Sequence, residues 1–245
     1  MTVRARLATA QGDPEIGDER VAVYHDDGRV EEVMLHDYAR VYALPGVYEQ
    51  IVQDDLGCRS PAKLAELLGA ALDALGRDRA TTRVIDVAAG NGVSGEALRE
   101  IGVTPVLGTD IVDEAREATL RDRPGVYGEY LTLDLAALSE AQTAHLAGLR
   151  ADALTCVAPV ADRAGSLPPA GLAAVAALLA DDALVVAMHD PRHGAPEALT
   201  EQFWRGALGD GVTATRLAHE RYLHRFLVTG APYEMDAAVW RLTRG

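Results

Sequence analysis

The sequence predicts an α/β fold: a mainly parallel sheet with helices on both faces, an antiparallel strand pair at the C-terminal end, and a helical cap at the N-terminal end. Two observations carry this expectation. From residue 83 onward, short β-branched runs alternate with segments of helical period, the pattern of a parallel sheet buried on both sides. After residue 211 the alternation stops, and two strand-like runs follow with no helix between them, which makes them antiparallel neighbours. With 245 residues, 49% of them hydrophobic, the chain can bury one large core.

Taken in order, residues 1–20 are polar and Gly/Asp-rich and are expected to form a loose arm. Residues 21–24 and 30–35 flank Asp26-Asp27-Gly28 and read as a hairpin closed by an Asp-Gly turn. Residues 36–55 are expected to be helical, broken at Pro45-Gly46. Ser60-Pro61 starts the next helix, with a capping oxygen followed by Pro at the first position. Leu64, Leu67, Leu68, Leu72 and Leu75 keep its period, and Gly76 ends it. Strands are then expected at 83–87, 105–110, 129–133, 152–158 and 183–189, and helices at 93–101, 112–122, 138–148, 167–180 and 195–208. Residues 212–226 and 235–243 are the terminal strand pair. The organisation is one compact domain: arm 1–20, hairpin and helical cap 21–78, and α/β core 79–245.

Charge and composition narrow the partners. The formal net charge is −14, and no basic run offers a track for phosphates, so nucleic acid is not expected and a small molecule is. No stretch approaches the roughly 20 apolar residues of a membrane span, and the first residues lack the apolar core of a signal peptide. Cys58 and Cys156 form neither a metal pattern nor a disulfide framework. A cytoplasmic protein without a metal is expected, and a homodimer stays open.

The most informative segment is Asp86-Val87-Ala88-Ala89-Gly90-Asn91-Gly92, which follows the strand-like Arg83-Val84-Ile85. Glycines at such a strand-to-helix turn let a nucleoside-bearing ligand touch backbone amides at the helix N-terminus. A carboxylate four residues before the first glycine favours a cationic ligand over a phosphate. S-adenosylmethionine, with an ammonium and a sulfonium, fits that requirement. Asp110 ends the second strand, where it can accept both ribose hydroxyls while Ile111 covers the adenine. Asp134 ends the third strand and can accept the adenine amine, with the Leu135 amide facing a ring nitrogen. Asp110 and Asp134 can equally serve as caps of the helices that follow them. The same segment satisfies G-x-G-x-x-G, with Asp110 lying 20 residues beyond Gly90, so an NAD(P)-dependent Rossmann oxidoreductase is the alternative. Against it, Asp86 would face a diphosphate with like charge.

This constellation resembles the Rossmann-like class I S-adenosylmethionine-dependent methyltransferases from about His36 onward. Within them it looks most like the methyltransferase-like proteins named after the Williams–Beuren region and their bacterial relatives. The matching stretches are His36-Asp37-Tyr38-Ala39-Arg40-Val41-Tyr42, Cys58-Arg59-Ser60-Pro61, the Asp86 to Gly92 motif, and Asp152-Ala153-Leu154-Thr155-Cys156-Val157. The resemblance implies that Asp86, Ala88, Gly90 and Gly92 cradle the methionine part, that Cys156 lies beneath the cofactor, and that Tyr42 or Tyr38 closes over its amino-acid end. Ala88 stands where many members have Gly. Pro159 replaces a small residue after the fourth strand, where substrate and methyl group usually meet. Asp181-Asp182 replaces the usual Gly pair before the fifth.

Methyl transfer is an in-line displacement on an activated donor, so alignment in a dry pocket is the main requirement, with at most one general base. His189, beside Asp190 at the end of the fifth strand, is one candidate base. His224 is the other; alternation places it on one strand face with Tyr222, while Arg221 and Arg225 take the opposite face. If that face lines the pocket, His224 and Tyr222 meet substrate, and Pro159 joins them. A subunit that binds the cofactor without turnover remains the reading from a different class.

Overall fold

The computed structural model of the chain describes residues 4–8, 18–161, 166–193 and 200–245. A seven-stranded sheet runs in the order β6-β5-β4-β7-β8-β10-β9. Its parallel part is built from β4 (Val84–Val87), β5 (Leu107–Asp110), β6 (Glu129–Thr132), β7 (Ala153–Pro159) and β8 (Ala183–His189). Every residue of β4 and β8 is buried, as expected of strands covered on both faces. β9 (Val212–Phe226) and β10 (Pro232–Arg244) pair antiparallel, and β10 runs antiparallel beside β8. Chain order moves outward from β4 in both directions, so β4 and β7 flank the topological switch point where ligands of such sheets bind.

Helices α2 (Ser60–Ala74) and α3 (Val93–Glu100) cover one face. Leu64, Leu68 and Leu72 of α2 pack there on Val84, Leu184 and Val186. The other face carries α5 (Glu140–Gly148), α6 (Pro169–Ala176) and α7 (Glu201–Leu208), with Trp204 stacked near Trp240 in a fully buried layer. Residues 195–199 of the expected helix 195–208 lie outside the described residues. α4 (Asp113–Asp122) packs against the cap. No helix among the described residues is long and apolar enough to cross a membrane.

The cap departs from expectation in its first strand, in a π-helical segment after the expected break at Pro45-Gly46, and at Ser60. Residues 4–7, expected in a loose arm, form β1 (Arg4–Leu7) and pair with β2 (Arg20–Tyr24), which continues through the Asp-Gly turn into β3 (Val30–Met34). The pairing is worthwhile because Ala5 is fully buried against Val21, Val23 and Ile51. The helical stretch splits into α1 (Tyr38–Ala43) and a π-helical turn at Glu49–Asp55, separated at Pro45-Gly46. Ser60 does not cap α2: Arg59 holds the N-cap position without a side-chain bond, and the Ser60 hydroxyl turns inward. Asp134 likewise is not a helix cap, because α5 starts later, at a capping box formed by Ser139 and Gln142.

Candidate functional site

A cavity of about 630 Å³ opens above the C-terminal ends of β4 to β7, roofed by the cap and closed on one side by β9 and β10. Its floor is the turn after β4. Ala88 (φ +53°) and Gly90 (φ +55°) both take left-handed backbone. For Ala88 that conformation costs about 1–2 kcal/mol, which is why glycine suits the position. Gly90 is held on every side: its N–H donates to Asp110 Oδ2 (2.9 Å), and its carbonyl accepts from Tyr130 Oη (2.6 Å) and Thr119 Oγ1 (3.0 Å). The Tyr42 hydroxyl lies where a Cβ at Gly90 would stand, so only glycine fits beneath it.

Asp110 reaches the cavity from β5. Its second oxygen accepts the N–H groups of Ile111 (2.8 Å) and Val112 (3.2 Å). Burial pushes its carboxyl above the ordinary range, and the Gly90, Val112 and Ile111 amides pull it back. Ile111 is 65% exposed at the rim, an apolar flap with no core to cover. Asp134 and Leu135 line the wall beyond β6; Asp134 Oδ1 accepts the Ala136 N–H at 3.0 Å, holding the turn rather than a helix end. Tyr38 and Tyr42 stack at 5.7 Å in the roof, and Pro159 lines the β7 side.

The other expected contacts are not in the wall. Asp86 is fully buried under the turn, where it accepts from Tyr127 Oη (2.6 Å), Thr155 Oγ1 (2.7 Å) and the Ser94 hydroxyl. Burial raises its pKa, opposed by those three hydroxyls, Ser94 first. The carboxylate therefore shapes the turn from below and does not line the cavity. Gly92 (φ +89°) caps α3 and packs on the Thr119 and Arg123 side chains, behind the cavity. Cys156 is buried with its thiol pushed up to about 12 by desolvation, and its Sγ donates to the Ala158 carbonyl (3.4 Å). It is the neighbouring Val157, Ala158 and Pro159 that face the space.

Of the two expected bases, only His224 is at the cavity. Met188 lines it from β8, so the next residue, His189, points to the opposite sheet face. There His189 lies 3.6 Å from Asp236, which is already paired with Arg221 (2.7 Å). His224 and Tyr222 do share a face, as alternation required, but Tyr222 sits behind the wall. Its hydroxyl meets Ser60 Oγ at 2.8 Å and Met188 Sδ at 3.4 Å. Ser60 Oγ also lies 2.5 Å from His224 Nδ1. Burial, then Arg225, pushes the imidazole down to about 3, so the ring is neutral near pH 7.

Sequence reasoning missed the role of Ser60 and the Tyr127–Ser94–Thr155 support of Asp86, and it placed Arg225 on the strand face opposite His224, whereas both line the cavity beside the register shift between Tyr233 and Glu234. The guanidinium of Arg225 lines the cavity yet is bound to the buried Glu19 carboxylate and stacked 5.5 Å from the Tyr233 ring. Thr155 was within reach: parallel pairing of β4 with β7 sets it directly beside Asp86.

No protein-family profile matches the chain, and no curated protein does. Solved structures do. The 1,6-didemethyltoxoflavin-N1-methyltransferase of Burkholderia thailandensis, bound to 1,6-didemethyltoxoflavin and S-adenosylhomocysteine, is 17% identical over 91% of this chain and 96% of its own, with a TM-score of 0.51. A Pyrococcus horikoshii protein named an RNA methyltransferase is 18% identical over 74% of this chain and 81% of its own, also with a TM-score of 0.51. With its strand order, terminal antiparallel pair and turn after β4, the chain has the Rossmann-like fold of the class I S-adenosylmethionine-dependent methyltransferases.

Proposed function

We propose that the chain is an S-adenosylmethionine-dependent methyltransferase acting on a small molecule. One observation carries the reading: a single cavity gathers the left-handed Ala88–Gly90 turn, Asp110 and Asp134 from the ends of three adjacent parallel strands. The donor set suits a cationic nucleoside. Two carboxylates face the space, and the cation among its described lining residues, Arg225, is already neutralised by Glu19. A diphosphate would meet acidic groups with no free positive charge to hold it, which disfavours a dinucleotide.

In this reading Gly90 and Ala88 present backbone to the methionine part, Asp110 accepts the ribose hydroxyls, and Ile111, Asp134 and Leu135 hold the adenine. Tyr38 and Tyr42 cover the amino-acid end and exclude water. When bound, the cofactor supplies a methyl group on a sulfonium, already activated for displacement. The protein's own task is then alignment, which can contribute several kcal/mol of barrier lowering. The remaining wall, with Pro159, Met188, His224 and Tyr233, is left for the acceptor. A cavity of about 630 Å³ and a net charge of −14 favour a small acceptor over nucleic acid.

Titration calorimetry with S-adenosylhomocysteine tests the reading. Saturable one-to-one binding is expected, with no heat from NAD under the same conditions. Binding of NAD, or none of S-adenosylhomocysteine, would overturn it. Consumption of S-adenosylmethionine with a panel of small acceptors then separates an enzyme from a binding subunit.

A further inference from the structure

His224, Ser60, Tyr222 and Met188 form one continuous hydrogen-bonded chain leading from the cavity wall into the core. Its far end is a thioether, which can only accept. The Tyr222 hydroxyl therefore donates to Met188 Sδ (3.4 Å), and its own oxygen is free to accept from Ser60 Oγ (2.8 Å). With that hydrogen committed, Ser60 Oγ can accept from His224 Nδ1 at 2.5 Å. Run in this direction, all three contacts are made with one hydrogen in each. Run the other way, with Ser60 donating to a bare Nδ1, the Tyr222 hydrogen must choose between Ser60 and Met188, and one contact is lost. Ser60 is itself fully buried, so water does not replace it.

We propose that Ser60 is a positioning residue that fixes the His224 imidazole in its Nδ1–H tautomer and leaves Nε2 bare toward the cavity, where it takes the proton of a protic methyl acceptor. Nε2 has no hydrogen-bond partner among the described residues, and unlike His189 Nδ1 it is not sealed from solvent. The groups around the ring are Cys58 Sγ, 3.9 Å from Nδ1, and Tyr233, edge-on at 5.3 Å, with Arg225, Asp190 and His36 further out. Cys58 Sγ meets the same nitrogen as Ser60; were its thiol to donate to a bare Nδ1 while Ser60 donates to Tyr222, the Ser60 oxygen and Nδ1 lone pairs would face each other at 2.5 Å, whereas an Nδ1–H serves both. Because the ring is neutral near pH 7, its lone pair is available. As the bond from the acceptor oxygen to the methyl group forms and the methyl–sulfur bond breaks with its electron pair going to sulfur, Nε2 accepts the hydroxyl proton that the methylated oxygen can no longer hold, and the imidazolium returns it to solvent. The inference rests on the methyltransferase reading and narrows its acceptor to a hydroxyl, a phenol or enol, rather than an amine or a thioether.

The tautomer can be read without cofactor or substrate. Long-range proton–nitrogen correlation spectra of the uniformly nitrogen-15-labelled full chain at pH 7.5 distinguish a protonated from a bare ring nitrogen, and the resonances missing from His224→Asn assign the ring. We expect Nδ1 to carry the proton in the wild type. In Ser60→Ala the pattern should change to the Nε2–H form that imidazole prefers in water, and Tyr222→Phe, which removes the acceptor of the Ser60 hydrogen, should move it the same way. An Nε2–H ring in the wild type, or an unchanged pattern in Ser60→Ala, overturns the proposal. The wild-type spectrum decides even if a variant does not fold. Failure here leaves the calorimetric test of cofactor binding untouched, so the two readings fail separately.

Discussion

The Asp110 carboxylate accepts the backbone N–H of Gly90 at 2.9 Å, so the end of one strand holds the glycine turn of its neighbour in place. The same side chain faces the cavity, which ties the shape of the floor to the group expected to meet the ribose. Asp110→Ala should remove both at once. A charged acceptor lost from two hydroxyls is worth about 1.5–3 kcal/mol, a weakening of roughly 10- to 100-fold in S-adenosylhomocysteine affinity by calorimetry. An affinity within twofold of wild type would remove the ribose assignment.

Asp86 should behave in the opposite way. It touches hydroxyls only, beneath the turn, so Asp86→Ala strands the Thr155 hydroxyl in the core and leaves Ser94 and Tyr127 with only their mutual 3.3 Å contact. Each buried group left without a partner costs about 1–3 kcal/mol. The expected outcome is a loss of about 3 kcal/mol or more in urea unfolding. Asp86→Asn keeps the shape and one acceptor oxygen, and should lose clearly less. Equal losses in the two variants would mean that the hydroxyl bonds contribute little.

Tyr127 reaches Asp86 through a slot between two glycines. A Cβ at Gly95 would lie 2.6 Å from its ring, and one at Gly108 would lie 2.8 Å from it. Neither glycine has positive φ, so this is a packing requirement and not a backbone one. Gly108→Ala should destabilise by about 1–3 kcal/mol through overpacking. Combined with Tyr127→Leu, the alanine should cost less than it does alone, a coupling that a double-mutant cycle in urea measures. Simple additivity would count against the slot.

The parallel strands, the terminal pair and the turn after β4 were legible because their signals are local: β-branched runs, helical spacing and glycines. Residues 183–189 and 212–226 form strands over the expected bounds. What was not legible depends on contacts far apart in the chain. Ser60 looks like a helix cap until Tyr222 and His224, more than 160 residues away, take its hydroxyl. Asp86 looks like a ligand contact because side-chain direction at a strand end is set by what packs around it, here Tyr127 and Thr155 from other strands and loops. His189 and Met188 differ by one position, and only the pairing of β8 with β7 and β10 decides which of them faces the cavity. β1 was missed because four residues with two arginines carry too little apolar signal, although Ala5 alone anchors them.

Glu19 and Arg225, both nearly inaccessible, tie the cap to β9, and Glu19 also accepts the Val228 N–H at 3.1 Å. Glu19→Gln should cost about 3–5 kcal/mol, because it leaves a buried guanidinium without its counter-charge. The unpaired cation would then sit in the cavity wall, so binding of a cationic cofactor should weaken beyond any effect of stability. Calorimetry at a temperature where the variant is still folded separates the two contributions.

His224 makes stability depend on pH in a defined direction. Unfolded, its imidazole titrates near 6.5; folded, burial holds it neutral down to about 3. Above pH 6.5 both states are neutral, and this group contributes no slope. Between 6.5 and 3 the unfolded chain binds a proton that the folded one does not, so stability falls as pH falls, by up to about 1.4 kcal/mol per unit. His224→Asn removes the titration while keeping an amide that can still meet Ser60. Urea midpoints of wild type and variant at pH 7, 5.5 and 4.5 should therefore diverge in the variant's favour as the solution is acidified, since all the other titratable side chains are common to both proteins. A difference between the two that stays constant from pH 7 to 4.5 would show that burial does not hold the imidazole neutral below its ordinary range.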